Sequence, residues 1–187
     1  METHERTLRK LQKCLYIYIG ETARGDLGMF AAKSFRSGET IMADEDGDYY
    51  DNVCSHQDII KSGYGYERTL QVGINAFKLP NGSIDDFTNH SCEPSTGIRL
   101  TPKGTVILAI GDIEPHDELT YDYSTYINNP HERMNCSCGA ATCRRLIGSF
   151  KTLPTGLQRT YRRLGIVGNF VDETWREPAK QEEAVLV

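Results

Sequence analysis

A mainly β fold with short helices is what this sequence predicts, and three observations carry the expectation. Glycine is abundant (17 residues) and tyrosine is the commonest aromatic (10 residues), a composition suited to short strands and turns. The clearest apolar runs, Cys14 to Ile19 and Thr105 to Ile110, are strand-sized. One stretch near the C-terminus repeats with helical period over about two turns. At 187 residues and 39% hydrophobic content, the chain suits a single domain with its own core.

Taken in order, residues 14–19 (CLYIYI) read as a strand, since β-branched and aromatic residues fill it and a glycine ends it. Gly25 to Gly28 form a tight turn ahead of a short strand, Met29 to Ala32. Ser37-Gly38 turns the chain into a strand near Thr40 to Ala43, followed by an acidic loop, Asp44 to Asp48. Residues 50–82 have no clean period; a short helix near Gln57 to Lys61 and irregular hairpins are expected there, with Pro80-Asn81-Gly82 as a turn. Thr105 to Ile110 (TVILAI) is the clearest buried strand. Glu114-Pro115-His116 is a turn, and Leu119 to Tyr123 a further short strand. Pro154 opens the last segment, where Leu157, Tyr161 and Leu164 recur at i, i+4 and i+7 on one helical face. Residues 178–187 (PAKQEEAVLV) read as loosely held, and there is no internal repeat.

Charge and hydropathy narrow the function classes. No apolar run approaches the length of a membrane span, and Met1 to Lys13 lacks the apolar stretch of a secretory signal, so a soluble intracellular protein is expected. The net charge of −5, without a dense Lys/Arg block, argues against direct nucleic-acid binding. It suits a basic partner such as a Lys/Arg-rich peptide.

Six cysteines are present, and their positions matter more than their number. Cys136, Cys138 and Cys143 form C-x-C-x4-C, whereas Cys14, Cys54 and Cys92 are scattered. Short spacings let one loop wrap an ion, and a closed zinc site takes four ligands, so a fourth must come from elsewhere. Buried unliganded thiols or a redox pair are the alternatives. Cys54-Ser55-His56 lacks partners to complete a site and reads as ordinary, as does Cys14.

Three stretches then occur in order: Asn89-His90-Ser91-Cys92, Glu118 to Tyr123 (ELTYDY) and Cys136 to Cys143 (CSCGAATC). Together they resemble the SET-domain protein-lysine methyltransferases, with their NHSC box, ELTYDY box and zinc-binding post-SET segment. The resemblance runs from about Arg24 to Phe150 and includes no cysteine-rich pre-SET module. It implies small curved β-sheets with a knot-like threading of the NHSC segment, a zinc-bound post-SET loop and a C-terminal helix. The implied boundaries are an extension over 1–13, the SET domain over 14–126, the post-SET segment over 127–150 and a helical tail over 151–187 with a disordered end.

The resemblance also implies the chemistry: methyl transfer from S-adenosylmethionine to a lysine side chain of a protein, a histone or another basic protein. A lysine amine of pKa about 10.4 needs roughly 4.6 kcal/mol to be neutral at pH 7, and an apolar channel removes part of that cost. Tyrosine suits such a channel, having an apolar ring and a hydroxyl that bonds an amine or cofactor. Tyr123 inherits the position beside the transferring methyl group. Tyr121, expected on the same strand face, narrows the space for an already methylated amine, so mono- or dimethylation is expected. Cofactor contacts are implied for Gly28, Met29, Phe30, Phe87, Asn89, His90, Tyr123 and Leu146, and Cys92 is nominated to join Cys136, Cys138 and Cys143 on zinc.

The chain departs from the family pattern at four places. Asp26 replaces the first glycine of the first motif, Ser95 replaces an asparagine, His116 or Asp117 stands where a glycine often precedes ELTYDY, and Arg145 follows Arg144 where Arg-Gly is frequent. None removes a reacting group. The rival reading is a non-catalytic protein-binding module on a zinc-stapled scaffold, which loss of Tyr123, Asn89 or His90 would have favoured. A zinc hydrolase needs an open metal position, which four thiolates deny.

Overall fold

The computed structural model describes residues 15–45, 49–63, 65–80 and 82–173. The extension over 1–13, Cys14, Asp46 to Asp48 of the acidic loop, Asn81 of the Pro-Asn-Gly turn and the C-terminal end from residue 174 lie outside the described residues.

Short antiparallel ladders dominate. Strands β1 (Ile17–Glu21) and β2 (Leu27–Ala31) pair across the Gly25 turn, in a register from Ile17 opposite Ala31 to Glu21 opposite Leu27. The first strand begins three residues later than the apolar run suggested. Strands β3 (Thr40–Asp44), β7 (Thr96–Thr101) and β8 (Gly104–Ala109) form one sheet with β8 in the middle. That position explains the unbroken apolar run of β8, which is covered on both faces and paired on both edges. Strands β4 (Val53–Cys54), β5 (Leu70–Gly73) and β6 (Ala76–Lys78) form a second sheet with β6 central. The two-residue strands β9 (Met134–Asn135) and β10 (Leu146–Ile147) close the C-terminal loop.

Helix α1 (His56–Ser62) forms where expected, and its start is explained by a capping box between Ser55 and Asp58. Helix α2 (Thr155–Leu164) ends at Gly165, whose φ of 67° is left-handed. The Arg99 guanidinium of β7 donates to the terminal carbonyls of Leu164 (3.2 Å) and Gly165 (3.3 Å). Tyr161, Ile166, Phe170 and Val171 bury in the same core as Ile98, Ile107 and Leu119, so the C-terminal segment is part of the main core. Among the described residues, no helix is long and apolar enough to cross a membrane.

Strand β7 was not legible in the sequence. Gly97 and Arg99 interrupt its apolar pattern, and glycine weakens a strand signal. The glycine is needed because Ile166 sits over it: a Cβ there would lie 2.4 Å from Ile166 Cγ2.

The expected strand Leu119 to Tyr123 is a correction. Residues 116–121 make scattered backbone bonds on two sides. His116 and Leu119 N–H groups donate to Ala31 O (2.8 Å) and Met29 O (2.7 Å), while Tyr121 N–H donates to Asn89 O (3.0 Å). In return Ser91 and Thr96 N–H groups donate to Tyr121 O (3.1 Å) and Thr120 O (2.9 Å). The Asp122 carboxylate then accepts from Ser124 N–H (3.1 Å) and turns the chain into a 3₁₀ turn, Tyr123–Tyr126, which ends any pleat before Tyr123.

Candidate active site

The site forms where residues 88–92 run beside residues 118–123. Because the pleat ends at Asp122, Tyr121 and Tyr123 do not share a strand face, yet the turn brings their rings together with centroids 4.7 Å apart. Tyr123 O–H donates to Thr88 O (3.1 Å), and its backbone N–H donates to His90 Nδ1 (3.2 Å). Burial pushes the Tyr123 phenol up to about 12, and the same cause raises Tyr121 well above its ordinary value. Both hydroxyls therefore stay protonated at neutral pH and act as dipoles and donors, not as bases.

Three cavities meet here. One, of about 250 Å³, is walled by Arg24, Asn89, His90, Tyr123 and Cys138. A cleft of about 400 Å³ on another side is walled by Glu67, Asp85, Phe87, Thr88, Tyr121 and Tyr123. A narrow third space, a neck of about 20 Å³ walled by Tyr66, Phe77, Tyr121, Tyr123, Tyr126 and Glu132, shares Tyr121 and Tyr123 with the cleft and Tyr123 and Met134 with the first cavity. That volume holds about one water-sized group. Tyr123 is the residue common to all three.

The walls are held by polar ties. Asn89 Nδ2 donates to Leu27 O (3.0 Å) and Glu118 Oε1 (2.9 Å), and the Arg24 guanidinium lies 3.7 Å from the same Glu118 oxygen. Gly28 permits this crowding, since a Cβ there would meet Glu118 Oε1 and Thr22 Cγ2, each at 2.8 Å. Beneath the site the fully buried Asp122 carboxylate accepts from Arg144 Nη2 (2.7 Å) and from Tyr161 O–H (3.1 Å). One carboxylate thus ties the cysteine-rich loop and helix α2 to the residue beside Tyr123.

The cysteines converge below His90. Cys92 Sγ lies 3.8 Å from Cys136 Sγ, and Cys143 Sγ lies 3.6 Å from Cys136 Sγ. Tetrahedral zinc with bonds of about 2.3 Å separates its sulfurs by about 3.8 Å, so these spacings fit such an ion. His90, Cys92, Cys136 and Cys138 all present ligand atoms within 4.8 Å of one another. His90 Nδ1 accepts from Tyr123 N–H, which places its proton on Nε2, 3.4 Å from Cys92 Sγ. In that tautomer His90 donates toward the sulfur, as groups behind a metal ligand do. Burial holds the imidazole neutral, down to about 4 in spite of the neighbouring Asp122.

Of the residues singled out from sequence, Asn89, His90 and Tyr123 face the 250 Å³ cavity, and Tyr121 faces the neck and the cleft. Phe87 lines the cleft. Met29 is fully buried in the core, Phe30 stacks on Tyr18 with centroids 5.5 Å apart, and Leu146 is 46% exposed on β10, beside Ile147 of the cavity wall. Sequence reasoning missed Arg24, Glu67, Glu132 and the Asp122–Arg144–Tyr161 tie. Charged residues outside the boxes gave no local signal, because distant segments bring them in.

The departures from the family pattern acquire geometry. His116 and Arg145 have φ of 73° and 63°, the left-handed region that glycine occupies most easily. Ser95 O–H donates to Glu118 O (2.8 Å) and accepts from Thr120 N–H (3.0 Å), fastening the second box from behind.

A family profile described as "SET domain" matches residues 26–124. A Plasmodium falciparum protein named putative histone-lysine N-methyltransferase 1 is 28% identical over 149 residues, covering 74% of this chain and 2% of that one. The H3 lysine-4 specific histone-lysine N-methyltransferase of Candida albicans is 31% identical over 126 residues, covering 63% of this chain and 12% of that one. This chain therefore spans a small part of the length of these relatives. Among solved structures, Arabidopsis thaliana SUVH6 in complex with SAM superposes with a TM-score of 0.54 at 20% identity, covering 70% of this chain and 33% of that one. KRYPTONITE in complex with mCHH DNA, an H3(1-15) peptide and SAH gives 0.51 at 22% identity, covering 70% and 29%. These structural likenesses show the fold.

Proposed function

We propose that this chain, which belongs to the SET-domain family by the match over residues 26–124, transfers methyl groups from S-adenosylmethionine to lysine side chains of a protein. The observation that carries the reading is Tyr123, the one residue lining the 250 Å³ cavity, the neck and the cleft together. Two ligands entering from different sides would meet at that ring. S-adenosylmethionine supplies the methyl group on a sulfonium, and the 250 Å³ cavity suits it, with Arg24 to face a carboxylate and Asn89 as a polar wall. Gly28 behind Asn89 keeps that wall close. Contacts from Met29, Phe30 and Leu146 belong to the reading only through their backbone or through movement of the post-SET loop.

The lysine enters from the cleft, whose Glu67 and Asp85 suit a basic peptide, and its amine reaches the neck between Tyr121 and Tyr123. The narrow aromatic neck strips water from the amine and aligns it. Room for about one water-sized group limits the product to mono- or dimethyllysine. Relatives named as histone methyltransferases, and the H3 peptide in one structural neighbour, favour a histone or another basic chromatin protein as substrate. A structural zinc on Cys92, Cys136, Cys138 and Cys143 fastens the post-SET loop, and His90 stands behind Cys92.

The test is incubation with labelled S-adenosylmethionine, core histones and lysate proteins, beside the Tyr123→Phe variant. Label on lysine that falls by a factor of about 100 in the variant is expected, as for loss of an aligning hydroxyl. Absence of both label and cofactor binding would sink the reading. Cofactor binding without turnover on any protein would favour a binding module on the same scaffold.

A further inference from the structure

The neck contains a single carboxylate, Glu132, among walls that are otherwise aromatic or apolar save for Thr69 and Gln71. Its side chain makes no hydrogen bond or ion pair with another described residue. Tyr121 aside, the hydroxyls and amide of the neck have partners. Tyr123 and Tyr126 hydroxyls donate to Thr88 O and Ile98 O (2.8 Å), and the Tyr66 hydroxyl lies 2.5 Å from His56 Nδ1. Gln71 donates to Gly73 O (2.9 Å) and accepts from Asn128 N–H (3.1 Å).

Resting on the lysine-methylation reading, we propose that the Glu132 carboxylate accepts the proton that the substrate ammonium must lose before methyl transfer. The step balances. An ammonium N–H bond breaks and its proton passes to a Glu132 oxygen. The freed nitrogen lone pair then bonds the methyl carbon as the carbon–sulfur bond breaks, leaving its electron pair on sulfur. Glu132 afterwards returns its proton to solvent through the open cavities.

Glu132 has the basicity for this at neutral pH. Burial, followed by the nearby Glu67 carboxylate, pushes it up to about 7. Facing it are Tyr66 and Glu67 from one 3₁₀ turn and Tyr121, Tyr123 and Tyr126 from the other side, and none of the last three phenols can take a proton there because burial raises each. The Arg133 guanidinium is occupied by the Glu132 backbone carbonyl (2.7 Å). The gap to an ordinary lysine, about 3.4 pK units, narrows in an apolar neck, which favours a neutral pair over an ion pair.

The test is kcat and KM as functions of pH for the wild type, Glu132→Gln and Glu67→Gln, with cofactor affinity and melting temperature measured alongside. The wild type should lose rate below about pH 7, where the carboxylate is protonated. Glu132→Gln should lose about 100-fold in kcat near neutrality, bind cofactor as before and show a rate that climbs with pH without a plateau. Glu67→Gln should move the acidic limb to lower pH, because it removes a neighbouring negative charge. If Glu132→Gln fails to fold, the wild-type limb and its displacement in Glu67→Gln still decide. Loss expressed only in KM, or a wild-type profile without that limb, overturns the proposal while leaving the methyltransferase standing. A wild type that binds cofactor and methylates nothing overturns both.

Discussion

Arg145 holds a left-handed backbone that its exposed side chain does nothing to favour. Its φ of 63° is left-handed, its side chain is exposed, and its carbonyl accepts from Cys136 N–H (3.0 Å). Replacing it by glycine should relieve about 1 kcal/mol of steric cost, net of the entropy that glycine adds to the unfolded chain. Thermal unfolding should register a rise of about 2–4 °C for a chain of this size. His116 is a poorer target, because the Tyr18 hydroxyl lies 3.0 Å from its Nδ1 and glycine would forfeit that contact. Asp122 presents the opposite case. It is fully buried and paired with Arg144, so Asp122→Asn should cost about 3–5 kcal/mol by leaving a guanidinium without its partner. Denaturant titration should show this as a lower midpoint, and the double change with Arg144→Met should recover part of the loss.

At the scale of elements, the pieces with local causes were legible. Helix α1 announces itself by Ser55 and Asp58, and Ser55→Ala should cost about 1 kcal/mol in chemical denaturation. Strand β8 is read from six consecutive residues because burial on both faces demands an apolar run. Helix α2 is read from its spacing, but its purpose is not: Tyr161 reaches Asp122, 39 positions earlier, and Ile166 covers Gly97 of β7. Tyr161→Phe should lower stability by about 1–2 kcal/mol, since it leaves one oxygen of a buried carboxylate without a donor. The false strand over Leu119 to Tyr123 has a similar source. Its residues have strand character, yet their backbone partners come singly from two separate segments, and no local pattern encodes that.

For the molecule as a whole, the residues proposed to react were visible because they sit in short contiguous words, whereas the charged groups around them were not. Arg24, Glu67 and Glu132 reach the site from three separate regions, and only folding reveals their company. The cysteine cluster joins two such regions, so metal removal should be felt well beyond the loop. A strong chelator should release about one zinc per chain, as a four-ligand site requires, and should lower the melting temperature and cofactor affinity together. Cys143→Ser should release the metal and His90→Ala should retain it, which separates the ligand from the group behind it. The arrangement around Tyr123 also bears on the order of events during catalysis. If the proposed reading holds, a polypeptide seated in the cleft would leave the 250 Å³ cavity open for spent cofactor to depart. On the proposed reading one encounter would then span successive turnovers, with the final methyl count set by the space beside Tyr121 and not by how long the polypeptide stays.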